Sequence, residues 1–347
     1  MNVYYKIEFL FLIIKVYNMN CEYLVKNNHC KFLSKYIYLD KNYCTRHYNK
    51  LNKNNLQSNK LNNKSDNIEI NEIKSILQSN NILYDNIEFI NKGTFNKVYL
   101  ISYQNTKFII KYQNLKNDKN LLYYEYLILS NHLTDTNYIV NIYFINKQTY
   151  YYKKDEYALL CQEYLYNTIN EKKIEYNFSI NDILNIGIQL IKIMEYIHSK
   201  KYLYIDLKPD NIMFKNKTDL SIKLIDFNAS DKYIDMYSNF YPNNKISSRK
   251  GNDLFSSRNI NLGNRGERFD DIESILYIIL YLLDDENIIN ISNQKNIINI
   301  IKIKENIFTL YISKYEFINK FIQEINNNNK ISHKKPNYRK YIKILTI

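Results

Sequence analysis

The chain has 347 residues, 45% of them hydrophobic, which is enough for one large domain plus a small module. Its formal net charge of +13 suits anionic partners, although the Lys residues are scattered rather than clustered. Four Cys, three of them near the N-terminus, do not make a disulfide-rich secreted domain and point to a reducing compartment, with cytoplasmic localisation as the expectation.

Tyr (36) supplies much of the apolar content, Trp is absent, and Gly (5) and Pro (3) are scarce. Asn-rich runs such as Asn326–Asn329 therefore read as compositional bias in solvated loops. The apolar run Phe9–Ile14 is too short to span a bilayer and is followed by no small-residue cleavage site. Residues 1–18 are read as an extension, with Met19 as an alternative start, and no membrane partner is expected.

Residues 19–50 carry Cys21, Cys30, Cys44 and His47, a C-x8-C-x13-C-x2-H pattern. Three thiolates and an imidazole complete a tetrahedral zinc site, and a short segment with little core gains its fold from such a metal. His29 is the alternative fourth ligand, and three unrelated cysteines are the competing reading. The segment loosely resembles small Cys3His modules at the start of proteins from large DNA viruses. Residues 51–66 read as a linker, and Ile70, Ile73, Ile76 and Leu77 share one face of a short helix over 67–79.

From residue 82 the pattern turns to strands. Ile87–Ile90 and Val98–Ser102 flank a turn of Asn91, Lys92, Gly93, Thr94, Phe95 and Asn96. The next strand, Lys107–Lys111, ends apolar residues in a Lys, with Lys107 the weaker candidate for the same position. A helix over Leu121–Leu133 contains Glu125. Tyr157–Leu165 reads as a strand leaving through Gln162, Glu163, Tyr164 and Leu165, with Cys161 buried as a small hydrophobe. Asn181–Ser199 repeats apolar residues at helical spacing and leads into Tyr204-Ile205-Asp206-Leu207-Lys208-Pro209-Asp210-Asn211. Asp226-Phe227-Asn228 follows an apolar run. Later come Leu262–Leu280 (L-G-N-R-G-E-R-F-D-D-I-E-S-I-L-Y-I-I-L) and Lys335-Pro336-Asn337-Tyr338.

In this order and spacing the motifs resemble the protein kinase superfamily over residues 82–347. E-Y-I-H-S-K before the D-x-K-P-D-N loop, the D-D-I-E-S helix and K-P-N-Y are most similar to casein kinase I, with the vaccinia-related kinases next. The resemblance implies an α+β, two-lobed fold with a small β-rich lobe and a larger helical lobe. It also implies an ATP- and Mg2+-dependent serine/threonine kinase acting on acidic protein substrates as a monomer. Nucleic acid binding has no motif to support it.

Carried over by position, Asp206 and Lys208 are catalytic, and Asn211 and Asp226 hold Mg2+. Lys111, paired with Glu125, grips phosphates. Asn91–Asn96 with Val98 cover the nucleotide, and Gln162–Leu165 form the adenine-side strand and hinge. Asp271 braces the catalytic loop. The departures are specific. The phosphate loop is N-x-G-x-F-N-x-V, with only Gly93 of its glycines kept. Y-I-D replaces H-R-D, which removes the Arg that binds an activation-loop phosphate and predicts activity without loop phosphorylation. Asn228 replaces the Gly of D-F-G; Asn can visit the left-handed region, so Mg2+ binding by Asp226 is expected to survive. Leu254 stands for an Arg that binds anions, which puts a preference for phosphate-primed substrates in doubt. A pseudokinase scaffold is the alternative reading.

Overall fold

A computed structural model describes residues 62–346, apart from 80–81, 94–95, 116–119, 146–156, 236, 238, 243–244, 246–249 and 329–332. The Cys21, Cys30, Cys44 and His47 set lies outside the described residues, as does the extension before it. The chain divides into two compact units. The first holds the described residues up to Tyr126 together with Asn141–Tyr164, and the second holds Leu127–Val140 and everything from Leu165 on.

The first unit is built on a five-stranded antiparallel sheet. Its strands are β1 (Asn86–Lys92), β2 (Lys97–Tyr103), β3 (Thr106–Asn114), β4 (Ile142–Ile145) and β5 (Tyr157–Glu163), in the order β1-β2-β3-β5-β4. Helix α1 (Asn62–Ser79) buries Ile73, Ile76 and Leu77 against Tyr99, Ile101, Phe108, Ile110, Leu159 and Cys161. The Tyr112 hydroxyl donates to Glu72 at 2.6 Å, tying that helix to β3. The helix starts earlier than its apolar face predicts, so residues 62–66 of the expected linker are helical. Once a buried face has nucleated a helix, each added turn residue costs little. Burial raises the Cys161 thiol well above its ordinary value, which fits a packing role. Strand β5 ends at Glu163, two residues short of expectation, because Phe108 opposite Glu163 is its last partner on β3.

The second unit is mainly helical. Helix α2 (Leu121–Asn131) leads into it, its first turns still counted with the first unit. Helices α3 (Ile169–Glu175) and α4 (Ile180–Ser199) both open on capping boxes, Thr168 with Glu171 and Ser179 with Asp182. Short strands β6 (Tyr202–Leu203), β7 (Ile212–Phe214), β8 (Ile222–Leu224) and β9 (Asp231–Lys232) form two two-stranded ribbons around the loops between them. Helix α5 (Arg258–Asn261) precedes α6 (Arg268–Leu282), which is buried almost throughout. Helices α7 (Glu286–Ser292), α8 (Ile297–Thr309), α9 (Glu316–Asn328) and α10 (Tyr338–Leu345) complete the unit. A Cβ at Gly187 would stand 3.0 Å from Leu345 Cδ1 and 3.1 Å from Ile279 Cδ1, so this glycine lets α4 seat tightly on α6 and α10. Among the described residues no helix is long and apolar enough to cross a membrane.

Candidate active site

In the first unit, β3 delivers Lys111 and α2 delivers Glu125. The start of α2 is fixed by Gln113, a fully buried residue of β3 whose side-chain oxygen accepts from the N–H groups of Leu121 (3.0 Å) and Leu122 (3.2 Å). Asn120 adds a cap on Tyr123. Glu125 is thereby held beside Lys111, whose Nζ donates to Oε1 at 2.7 Å and to Oε2 at 3.0 Å. The two side chains are 5% and 0% exposed, so this is a desolvated pair, and losing either partner would leave a buried charge. Lys107 is exposed, with its Nζ 5.4 Å from the Tyr164 ring centre, and makes no comparable buried pair among the described residues.

The β1–β2 turn keeps Gly93, whose N–H donates to the Asn96 carbonyl at 2.8 Å. Asn91 turns its side chain onto the Lys92 N–H at 2.7 Å. Val98 pairs with Lys111 across the sheet. Thr94 and Phe95 lie outside the described residues. Gln162 is buried, and its Oε1 has no hydrogen-bond partner among the described residues. Glu163 accepts the Asn141 N–H at 2.6 Å. Leu165 is buried, at the start of the second unit's continuous stretch.

In the second unit the loop after β6 is built around Asp271, near the start of α6. Its Oδ2 accepts from the Tyr204 N–H at 2.9 Å, and its Oδ1 from the Ile205 N–H at 2.8 Å. His198, at the end of α4, places Nε2 2.9 Å from Oδ2 and Nδ1 2.7 Å from the Tyr338 hydroxyl. A neutral ring protonated on Nε2 satisfies both contacts. Tyr204 stands at the first position of Y-I-D. It is fully buried, lies 5.1 Å edge-to-face from Phe227, and donates its hydroxyl to the Ile225 carbonyl at 2.5 Å.

Braced in this way, the loop presents Asp206. Its Oδ2 accepts from Lys208 Nζ at 2.6 Å and from Asn211 Nδ2 at 3.1 Å, and its Oδ1 accepts from Asn252 Nδ2 at 3.1 Å. Asn211 also donates to the Asp206 carbonyl at 3.0 Å, and its own carbonyl accepts the Ile225 N–H at 3.1 Å. The loop is thus tied to the segment that carries Asp226. Asp226 Oδ1 is buried without a hydrogen-bond partner among the described residues. An orphaned carboxylate oxygen costs about 1–3 kcal/mol or more, unless a cation takes it. The donor set of Asn211 and Asp226, oxygen only, therefore fits a hard divalent ion.

Residues 84–343 match the model of the protein kinase domain. The chain belongs to the protein kinase family. Among solved structures, that of vaccinia related kinase 3 shares the fold, with a TM-score of 0.63 and 15% identity over 76% of this chain and 90% of that one. The kinase fold, with its β-rich and helical parts, carries with it the general use of ATP and Mg2+ on protein substrates.

Asn228 is not at positive φ; the left-handed residue of the D-F-N segment is Asp226 itself, at φ 60°. A second left-handed residue is Ile205, at φ 72°, a strained conformation for a β-branched side chain. Asp271 holds the Ile205 N–H, and the Ile205 side chain is buried in an apolar cluster with Leu203, Tyr233, Ile234 and Ile260.

Two residues escape sequence reasoning. Asn252 reaches Asp206 from 46 positions away and is itself oriented by Phe255, whose N–H donates to Asn252 Oδ1 at 2.6 Å. Lys304 of α8 is fully buried and donates to the carbonyls of Asp253 (2.9 Å) and Ser256 and to Asn261 Oδ1 at 2.7 Å. It fixes the segment between Asn252 and α5. A charge interrupting the apolar face of Ile300, Ile307 and Phe308 is the sequence signal that would have flagged it. Among the described residues no cluster of three or more His, Cys, Asp or Glu forms a metal site.

Proposed function

We propose that this kinase is catalytically active and transfers the ATP γ-phosphoryl group to serine and threonine hydroxyls of proteins, in the manner of casein kinase I. The observation that carries the reading is the Asp206 carboxylate. Oδ2 is filled by Lys208 and Asn211, while Oδ1 receives only Asn252 among the described residues. A lone pair of Oδ1 is left for the substrate hydroxyl. As the new O–P bond forms and the bridging oxygen leaves with ADP, Asp206 takes up the hydroxyl proton. Lys208 offsets charge on the transferring group, and Lys111, kept in place by Glu125, holds the remaining phosphates. Asn211 and Asp226 would hold Mg2+, which supplies charge neutralisation on the phosphate oxygens.

Acidic substrates, a monomeric state and a cytoplasmic location belong to the same proposal, as does zinc on Cys21, Cys30, Cys44 and His47. The zinc site predicts less bound metal in Cys44→Ser. A pseudokinase scaffold is the alternative, supported by the loss of glycine at Asn91 and Asn96 and by Y-I-D at residues 204–206. Labelled ATP, Mg2+ and casein, followed by phosphoamino-acid analysis of wild type beside Asp206→Asn, decide between the two. Equal labelling would sink the enzyme reading, and phosphotyrosine would sink the Ser/Thr assignment.

A further inference from the structure

Asn228 stands where most of the family has glycine, yet its backbone needs none of glycine's freedom, since φ is not positive there. What calls for explanation is its side chain. Asn228 Oδ1 is buried and accepts no hydrogen bond from the described residues, and Asp226 Oδ1, two residues earlier, is in the same condition. Between them Phe227 is fully buried against Tyr204. The Ser230 N–H donates to the Phe227 carbonyl at 3.1 Å, closing a turn that fixes the backbone of Asn228. Two acceptor oxygens are thus held on either side of an anchored residue, and neither meets a donor among the described residues. Buried polar atoms without partners are rare enough that each needs an account.

We propose that Asn228 supplies a further protein oxygen to the divalent-cation site of Asp226 and Asn211, directly or through a metal-bound water. The proposal rests on the kinase reading of that site. Side-chain amide oxygens are ordinary ligands of hard divalent ions, and a neutral one adds coordination without adding a negative charge. A glycine at this position has no oxygen to give, so the cation affinity of the wild type would exceed that of an Asn228→Gly variant. The amide also gains the electropositive partner that no described residue provides.

The test is direct binding of Mn2+ alone to the full chain, followed by water-proton relaxation, for wild type, Asn228→Leu, Asn228→Asp and Asp226→Asn. Asn228→Leu is expected to weaken Mn2+ binding by about tenfold, while Asn228→Asp restores or tightens it. Melting of the chelator-treated proteins monitors folding; should Leu prevent it, Asn228→Gly removes the oxygen without adding bulk and is read in the same way. Binding unchanged by loss of the Asn228 oxygen, together with binding lost in Asp226→Asn, overturns the proposal and leaves the kinase reading intact. Binding unchanged in Asp226→Asn as well overturns both.

Discussion

Asn252 Nδ2 sits 3.1 Å from Asp206 Oδ1, with its own oxygen pinned by the Phe255 N–H at 2.6 Å. The catalytic-loop carboxylate is therefore aimed from the segment that precedes α5. Asn252→Ala removes the only protein donor to that oxygen among the described residues. A misplaced reacting group costs up to about 10²-fold in rate. The expected outcome is a kcat lowered by about tenfold or more with little change in KM for ATP, and partial recovery in Asn252→Thr. Steady-state kinetics on a peptide substrate check this.

Asp271→Ala withdraws acceptors from two buried N–H groups and leaves His198 facing a void. Unsatisfied buried donors cost about 1–3 kcal/mol each, so a loss of about 2–5 kcal/mol is expected by denaturant unfolding. Activity should fall further than stability explains, because Ile205 is held at φ 72° by this contact. Full activity in the folded fraction would show that the brace does not set the geometry of Asp206.

Ile205→Arg places a guanidinium in the cluster of Leu203, Tyr233, Ile234 and Ile260. Burying a polar group without partners costs several kcal/mol, and a lower melting temperature is the expected result. Phosphatase treatment of the wild type should leave its activity unchanged. Activity abolished by phosphatase and restored by rephosphorylating residues 231–257 would refute this.

Burial raises the Asp270 carboxyl to about 7, against hydrogen bonds from Ser257, Glu267 and Asn259 that favour its charged form. A raised carboxyl binds protons more readily folded than unfolded. Its stabilising contribution is therefore fully present below 3.8 and is lost as pH rises through about 7. Asp270→Asn should become progressively more stable relative to wild type between pH 4 and pH 8. Melting curves across that range test the sign, and a constant difference would argue against it.

The elements of the candidate site were legible because each is local. Lys111 closes an apolar strand, Asp206, Lys208 and Asn211 sit within six positions, and α4 announces itself by its period. Asn252 and Lys304 were not legible, since Asp206 and the partners of Lys304 lie 43 to 51 residues away and only the folded chain brings them together. The positive φ at Asp226 was not legible, since it is the hydrogen bonds of Ile225 and Phe227 on either side that fix the backbone there. The start of α1 was missed because its first turns carry no apolar signal.

Gly251, at φ 81°, has room for no Cβ: such an atom would stand 2.6 Å from Ser256 Oγ and 3.1 Å from the Ile205 carbonyl. The activation segment thus rests directly on the catalytic loop, at a seam where Ile205 joins an apolar cluster. That seam combines apolar burial with the Asn252–Asp206 hydrogen bond and the Lys250–Asp231 ion pair, and none of these contacts uses a phosphate. On the proposed reading, the described contacts that seat the Asp206 loop are complete without a phosphate, and the kinase works without phosphorylation of residues 231–257.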